Sequence, residues 1–301
     1  MTNFFNYLID LLRRLLPSVG TALPHVGSYQ RDIPTSLARM FENALDYKHL
    51  PWLHQSTFSE LQIIESGDWG WRAIAHLSPK SPFNKMELEL RLDRDKSRWV
   101  TRTLSGLGKG TEVWTVAMPT GTANDSQNSE HGIRVVVDFF VPKLPRFLHA
   151  FYAQAYQSMY QKLYDEDETM MLGRQRALDQ KKQDIRVNED QQNETELLVG
   201  HTQSLDLNGV TPFELAGKRY GLVYLNERWQ AFSAVCPHRL GPLNQGKIID
   251  GSVECPWHGY RFEISSGRCL THQSLTLSEA PTIHVSEEGA VMASFADQSL
   301  C

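Results

Sequence analysis

The chain has 301 residues, 41% hydrophobic and 22% charged, which excludes fibrous and wholly disordered classes and is enough for two cores. Its 30 basic and 35 acidic residues leave a formal net charge of −5, arguing against nucleic acid as a partner because phosphate binding needs a basic surface. No apolar run approaches the ~20 residues of a membrane span, and four cysteines are too few for a disulfide scaffold, so a soluble, cytoplasmic protein is expected.

At the N-terminus, no basic residue leads the apolar stretch and no small-residue cleavage site follows it, so it does not read as a signal peptide. Phe4, Leu8, Leu11 and Leu15 recur at helical spacing before Pro17, predicting an amphipathic helix within a lead-in of residues 1–33. Its apolar face packs on the protein's own core in the first reading and lies on a membrane surface in the alternative. A second helix is predicted over 36–50, broken by Pro51. Alternating apolar segments at 69–77, 86–93, 98–104, 112–118 and 133–141 predict an antiparallel sheet, with the polar stretch 120–131 as a long hairpin loop. Residues 144–181 carry apolar and aromatic residues with no glycine before Gly173 and predict one long helix. The expected fold is α+β: a sheet with a long C-terminal helix across it over 34–178, a polar linker or helix extension at 179–196, and a small all-β domain at 197–301.

The strongest signal is Cys236-Pro237-His238, then sixteen residues, then Cys255-Pro256-Trp257-His258. Two Cys and two His in two short loops suit either a tetrahedral zinc or a [2Fe–2S] cluster with two histidines on one iron. One Cys and one His per loop favours the cluster, because two hairpin tips then enclose it. Cys269 is expected to be a buried strand residue and Cys301 a terminal thiol.

The run CPHRLGPLNQGKIIDGSVECPWHGYRFEISSGRCL closely resembles the Rieske family. The resemblance implies that Cys236, His238, Cys255 and His258 hold a Rieske [2Fe–2S] cluster. Respiratory members carry an extra cysteine in each loop; the corresponding positions here are Gly241 and Trp257, so that clamping disulfide is absent. The resemblance therefore points to the oxygenase and ferredoxin types.

Such a cluster needs an acceptor. Two His plus a carboxylate with open positions form the facial triad of non-haem iron(II) oxygenases. Rieske oxygenases carry Asn-x-x-Asp-x-x-His-x-x-x-x-His at that iron, and Asn43, Asp46, His49 and His54 fill every position. Asp46 and His49, three apart, share a helix face, and the turn after Pro51 swings His54 back towards His49. The third ligand implied by the resemblance lies on the long helix, where Glu166-Asp167 followed by Gln175 fits one branch, giving Asp167; helical spacing leaves Asp165, Glu166 and Glu168 open. The family's matching aspartate bridges a Rieske histidine to an iron-site histidine, so Asp46 would connect the centres through either His238 or His258.

Most Rieske oxygenases put the Rieske domain first, whereas this chain reverses the order. The resemblance implies a helix-grip (START-like) catalytic domain binding mononuclear Fe(II), a flavin- or ferredoxin-type reductase as electron donor, and a homotrimer in which a neighbour's cluster feeds the iron; the reversed order with its polar linker either keeps that crossing arrangement or makes the transfer internal to one chain. The expected function is oxidation of an apolar or aromatic organic substrate with O₂, in a pocket lined by aromatics such as Trp52, Phe58, Trp69, Trp71, Phe151 and Tyr160. The alternative is a Rieske electron carrier fused to an iron-free ligand-binding domain.

Overall fold

The computed structural model of the chain describes residues 23–120, 132–187 and 195–295. The predicted N-terminal helix, most of the 120–131 loop, residues 188–194 of the polar stretch and Cys301 lie outside the described residues.

Seven antiparallel strands form one sheet in the order β1-β7-β6-β5-β4-β3-β2. They are β1 (His25–Ile33), β2 (Phe58–Gly67), β3 (Gly70–Leu77), β4 (Lys85–Asp93), β5 (Arg98–Gly106), β6 (Glu112–Pro119) and β7 (Ile133–Phe140). Alternation decides which face is buried. β7 turns Ile133, Val135, Val137 and Phe139 inward, none more than 1% exposed, while the outer face carries cross-strand ion pairs such as Arg72–Glu87 and Arg102–Glu112. The long helix α3 (His149–Val187) lies across the inner face. Tyr156 and Tyr160 meet Phe139 at ring-centroid distances of 4.9 and 5.2 Å, and Tyr164 stacks on Tyr29 at 5.9 Å. This is a helix-grip arrangement, and the expected α+β order holds.

Several boundaries differ from the sequence expectations. Residues 25–33, assigned to a lead-in, form edge strand β1 paired with β7. Its Gly27 lets α3 approach: a Cβ there would lie 2.7 Å from that of Ala153. The other edge strand, β2, also escaped the sequence reading; none of its residues is fully buried, so its alternation is faint. The long helix begins at His149 rather than 144, behind Pro145, and runs on to Val187 because Gln, Lys, Arg and Ala there are good helix formers.

The helix predicted over 36–50 ends early. α1 (Leu37–Leu45), capped by Ser36, stops at Asp46, whose φ of −85° and ψ of 70° leave the helical region. A 3₁₀ turn (Tyr47–His49) and the short α2 (Leu50–Leu53) follow. Pro51 therefore sits in the first turn of a helix, where its missing N–H is not needed, rather than breaking one. Asp46 and His49 consequently do not share a helix face.

The C-terminal domain holds three three-stranded sheets: β9–β11 (Thr211–Leu215, Lys218–Leu225, Arg228–Ser233), β12–β14 (Lys247–Ile249, Ser252–Glu254, Arg261–Glu263), and β8 (Glu196–His201) with β15 and β16 (Thr282–Val285, Ala290–Ser294). Cys269 is half-buried and lies outside these strands, in an isolated bridge with Phe262.

The two domains pack directly on each other. Met170 of α3 joins the apolar cluster around Trp257, Cys236 and Cys255, and a Cβ at Gly173 would come within 3.1 Å of the Trp257 ring. Gly259, at φ +66°, sits so close to Trp52 that a Cβ would lie 2.2 Å from its indole. Gly259→Ala combines left-handed strain with this overlap and should destabilise the fold by about 2 kcal/mol or more. Thermal unfolding checks it; an unchanged midpoint would mean that Trp52 yields freely.

Candidate metal centres

The first centre is built where α2 ends against α3. His49, in the 3₁₀ turn, and His54, which closes α2, are 3% and 1% exposed. The Nε2 atoms of His49 and His54 lie 3.3 and 3.1 Å from the same Oδ1 of Asp167. One ligating atom from each of the three residues falls within 4.8 Å of the others. Burial alone would raise the Asp167 carboxyl, but hydrogen bonds and charge from the two histidines prevail and hold it well below the usual carboxylate range. Burial likewise disfavours a charged His54, yet Asp167 and Glu166 outweigh it and raise that ring.

The acidic run 165–168 is sorted by helix geometry. Asp165 and Glu168 both pair with Arg31. Glu166 accepts from the other ring nitrogen of His54, Nδ1, at 2.6 Å, leaving Nε2 directed at Asp167. Gln175 points elsewhere and bonds Asp179 on its own helix. Two imidazoles and one buried carboxylate converging on one point form a donor set that fits a divalent metal such as ferrous iron.

Asn43 and the triad line a cavity of about 630 Å³ between the sheet and α3. The Oδ1 of Asn43 is buried without a partner. Of the aromatics expected in the pocket, Phe58, Trp71 and Tyr160 line it. Trp52 instead packs on Gly259, Trp69 takes the Arg91 guanidinium over its ring, and Phe151 is 70% exposed.

The second centre lies at two adjacent loop tips. In the first, Cys236 N–H donates to Gly241 O and Leu240 N–H to Cys236 O; in the second, Cys255 N–H donates to Tyr260 O and Gly259 N–H to Cys255 O. Gly241 is needed for the approach, since a Cβ there would lie 2.8 Å from the Cys255 sulfur. The rings of His238 and His258 are 4.6 Å apart, and the Nδ1 of each is buried without a hydrogen-bond partner. The hydrogen bond between the thiols raises Cys236 and lowers Cys255 to about 5, whereas burial and then the neighbouring His258 bring His238 down to about 4. Two orphaned imidazole nitrogens beside two sulfurs are a donor set that fits a [2Fe–2S] cluster with mixed ligation.

Asp46 lies between these centres. Its Oδ2 is 2.8 Å from His258 Nε2, so the resemblance's open choice between His238 and His258 falls on His258. Burial would raise Asp46, but the His258 hydrogen bond, with charge from His258, His49 and Arg239, brings it down to about 2. Nδ1 of His49 is buried and unpartnered. Sequence reading missed the clamp around this junction. Glu42 is held by Arg39, Arg174 and Arg239, and Arg174 also donates to the Arg239 carbonyl at 3.0 Å. Glu42 directly precedes Asn43, Arg174 directly precedes Gln175 and Arg239 directly follows His238, so each adjoins a motif residue, but nothing in their spacing pairs them. The junction forms within one chain, the second of the two arrangements the reversed order allows, because Met170, Gly173 and Arg174 of α3 receive the chain's own Trp257 loop.

Comparison with known proteins agrees with the second centre. The family described as the Rieske [2Fe-2S] domain matches residues 195–281. Pheophorbide a oxygenase of Arabidopsis thaliana is 39% identical over 67 residues, 21% of this chain and 12% of that protein. The oxygenase component of dicamba O-demethylase from Stenotrophomonas maltophilia is 42% identical over 36 residues, 12% of this chain and 10% of that protein. The chain thus spans about a tenth of the length of the curated relatives it matches. Among solved structures, the ferredoxin of carbazole 1,9a-dioxygenase from Nocardioides aromaticivorans IC177 aligns with 34% of this chain and 99% of its own at 24% identity and a TM-score of 0.31. Truncated norcoclaurine synthase from Thalictrum flavum aligns with 51% of this chain and 96% of its own at 18% identity and a TM-score of 0.39. Residues 195–281 of this chain form a Rieske [2Fe–2S] domain, and the chain's relatives through that domain include Rieske-type oxygenases.

Proposed function

We propose that this chain is a Rieske non-haem iron oxygenase that oxidises an apolar or aromatic organic substrate with O₂, supplied with electrons by a flavin- or ferredoxin-type reductase. In such an enzyme the cluster supplies single electrons, and ferrous iron with open coordination positions activates O₂. Cys236, His238, Cys255 and His258 would hold the cluster, and His49, His54 and Asp167 the iron.

The observation that carries this reading is the buried contact from His258 to Asp46, three residues before His49. A Rieske electron carrier with an iron-free binding domain would have no use for that carboxylate beside a converging His-His-Asp set. Asp46 orients His258 and keeps its Nε2–H engaged, so that Nδ1 faces the thiols. Asn43 lines the cavity beside the triad, and its buried oxygen has no partner. The mainly apolar walls exclude water and suit an apolar substrate. Iron analysis of anaerobically purified protein tests the reading: about three irons per chain support it, whereas about two, with cluster colour intact, support the carrier.

Glu166 has a positioning role in this account, since its bond to Nδ1 fixes the His54 tautomer that presents Nε2. Glu166→Gln should weaken iron binding by about 10–100-fold without abolishing it, measured by titrating the apo site with ferrous iron. Complete loss in Glu166→Gln, with retention in Asp167→Asn, would make Glu166 the ligand.

A further inference from the structure

The cavity has a second end that the metal site does not use. Its lining follows α3 from Asp167 back through Tyr160 and Tyr156 to Tyr152, which at 1.5 Å per residue puts the mouth roughly 22 Å from the triad. The mouth opens among the loops 107–111 and 141–148, whose residues line it, and the loop 78–84 lies at the same end of the sheet without lining it. The Leu107 N–H donates to Lys85 O at 3.2 Å, and a Cβ on Gly110 would lie 3.2 Å from Pro142.

This end exposes apolar side chains together with positive charge. Phe83, Phe147 and Phe151 are 86%, 82% and 70% exposed, and Leu107 and Tyr152 are also exposed. Among the described residues, every phenylalanine or tyrosine in the set of exposed large hydrophobics lies here. Phe151 meets Tyr152, a wall residue of the mouth, edge-on at 5.8 Å. The three loops contain Lys80, Lys109, Lys143 and Arg146 and no carboxylate, although the whole chain is acidic. Lys80 pairs with Glu60, while no ion pair is formed by Lys109, Lys143 or Arg146 among the described residues. β1 also begins at this end, His25 pairing with Phe140, so residues 1–22, with their apolar helical spacing, join the domain here.

We propose that this end of the helix-grip domain docks on the surface of an anionic lipid bilayer. Exposed aromatic rings settle at the headgroup level, the unpaired cations meet lipid phosphates, and the cavity mouth faces the acyl chains. No helix among the described residues is long and apolar enough to cross a membrane, which fits contact at the surface. Uptake of an apolar substrate directly from the lipid rests on the proposed oxygenase reading; affinity for the bilayer does not.

The test is co-sedimentation of the full-length, cluster-loaded protein with phosphatidylcholine vesicles, with and without phosphatidylglycerol. The chain should sediment with the phosphatidylglycerol vesicles, and less so with phosphatidylcholine alone or at high salt. Phe147→Ser/Phe151→Ser and Lys143→Glu/Arg146→Glu should each weaken binding about tenfold or more, with cluster absorbance and thermal midpoint unchanged. Two results would overturn the proposal. One is a wild-type chain that stays in the supernatant with every vesicle, as it would if residues 1–22, a second copy or a protein partner covered this face. The other is undiminished sedimentation of both double variants, which would put the lipid contact on another surface. Neither readout uses iron or turnover, so failure of the oxygenase reading is recorded separately.

Discussion

Asp46→Asn should leave both metal centres filled and lower turnover by about 100-fold or more. The asparagine keeps the volume and one oxygen to accept from His258 Nε2, so the buried junction still packs. It removes the negative charge that faces His258 at 2.8 Å and Arg239 at 3.6 Å. With that charge gone, the bias that keeps a proton on Nε2 is lost, and the amide can turn its NH₂ towards the ring instead. Reoxidation of the pre-reduced cluster after mixing with O₂ and substrate, followed by its absorbance, should slow by the same factor while iron content stays constant. Full turnover would remove Asp46 from the path between centres. Because the junction lies within one chain, mixing Cys255→Ser chains with His49→Ala chains should restore no activity; recovery would mean that a neighbour's loop takes the place of His258.

Some of this arrangement could be read from local spacing. The four cluster residues sit in two short loops, and a loop's chemistry is carried by adjacent positions. The inner strands were equally legible: Met86, Leu88, Leu90 and Leu92 of β4 alternate strictly with charged residues, because one face is buried and the other wet. The edge strands were not, since β2 buries no residue fully and β1 spends one inward position on Gly27. The helix break was misplaced because proline is a strong breaker in helix interiors but is well suited to a first turn, and nothing local marks Asp46 as the terminus. Long-range pairing was the least visible. Glu42, Arg174 and Arg239 belong to three separate segments, and only the folded chain shows them converging beside Asp46.

Removing the Asp167 carboxylate should have the largest consequence of any single change in the first centre. Asp167→Ala leaves His49 and His54, 5.1 Å apart between ring centroids, as the only remaining members of the set, with no anion to balance a divalent cation. The mononuclear metal should be lost, the iron count should fall from about three to about two per chain, and oxygen-dependent turnover should fall by about 10³-fold or more. Cluster colour should persist, because Asp167 touches neither loop tip and the contacts of Met170 and Gly173 with Trp257 lie further along α3. The substitution also removes the acceptor shared by two buried histidines, so thermal stability without metal should fall, whereas added ferrous iron should stabilise the parent protein and not the variant. The response to iron separates a ligand from a structural residue: with an Asp167 that only tied the two histidines together, ferrous iron would stabilise parent and variant equally. Retention of the third iron in Asp167→Ala would exclude Asp167 as a ligand and leave Glu166, already 2.6 Å from His54, as the nearest carboxylate able to replace it.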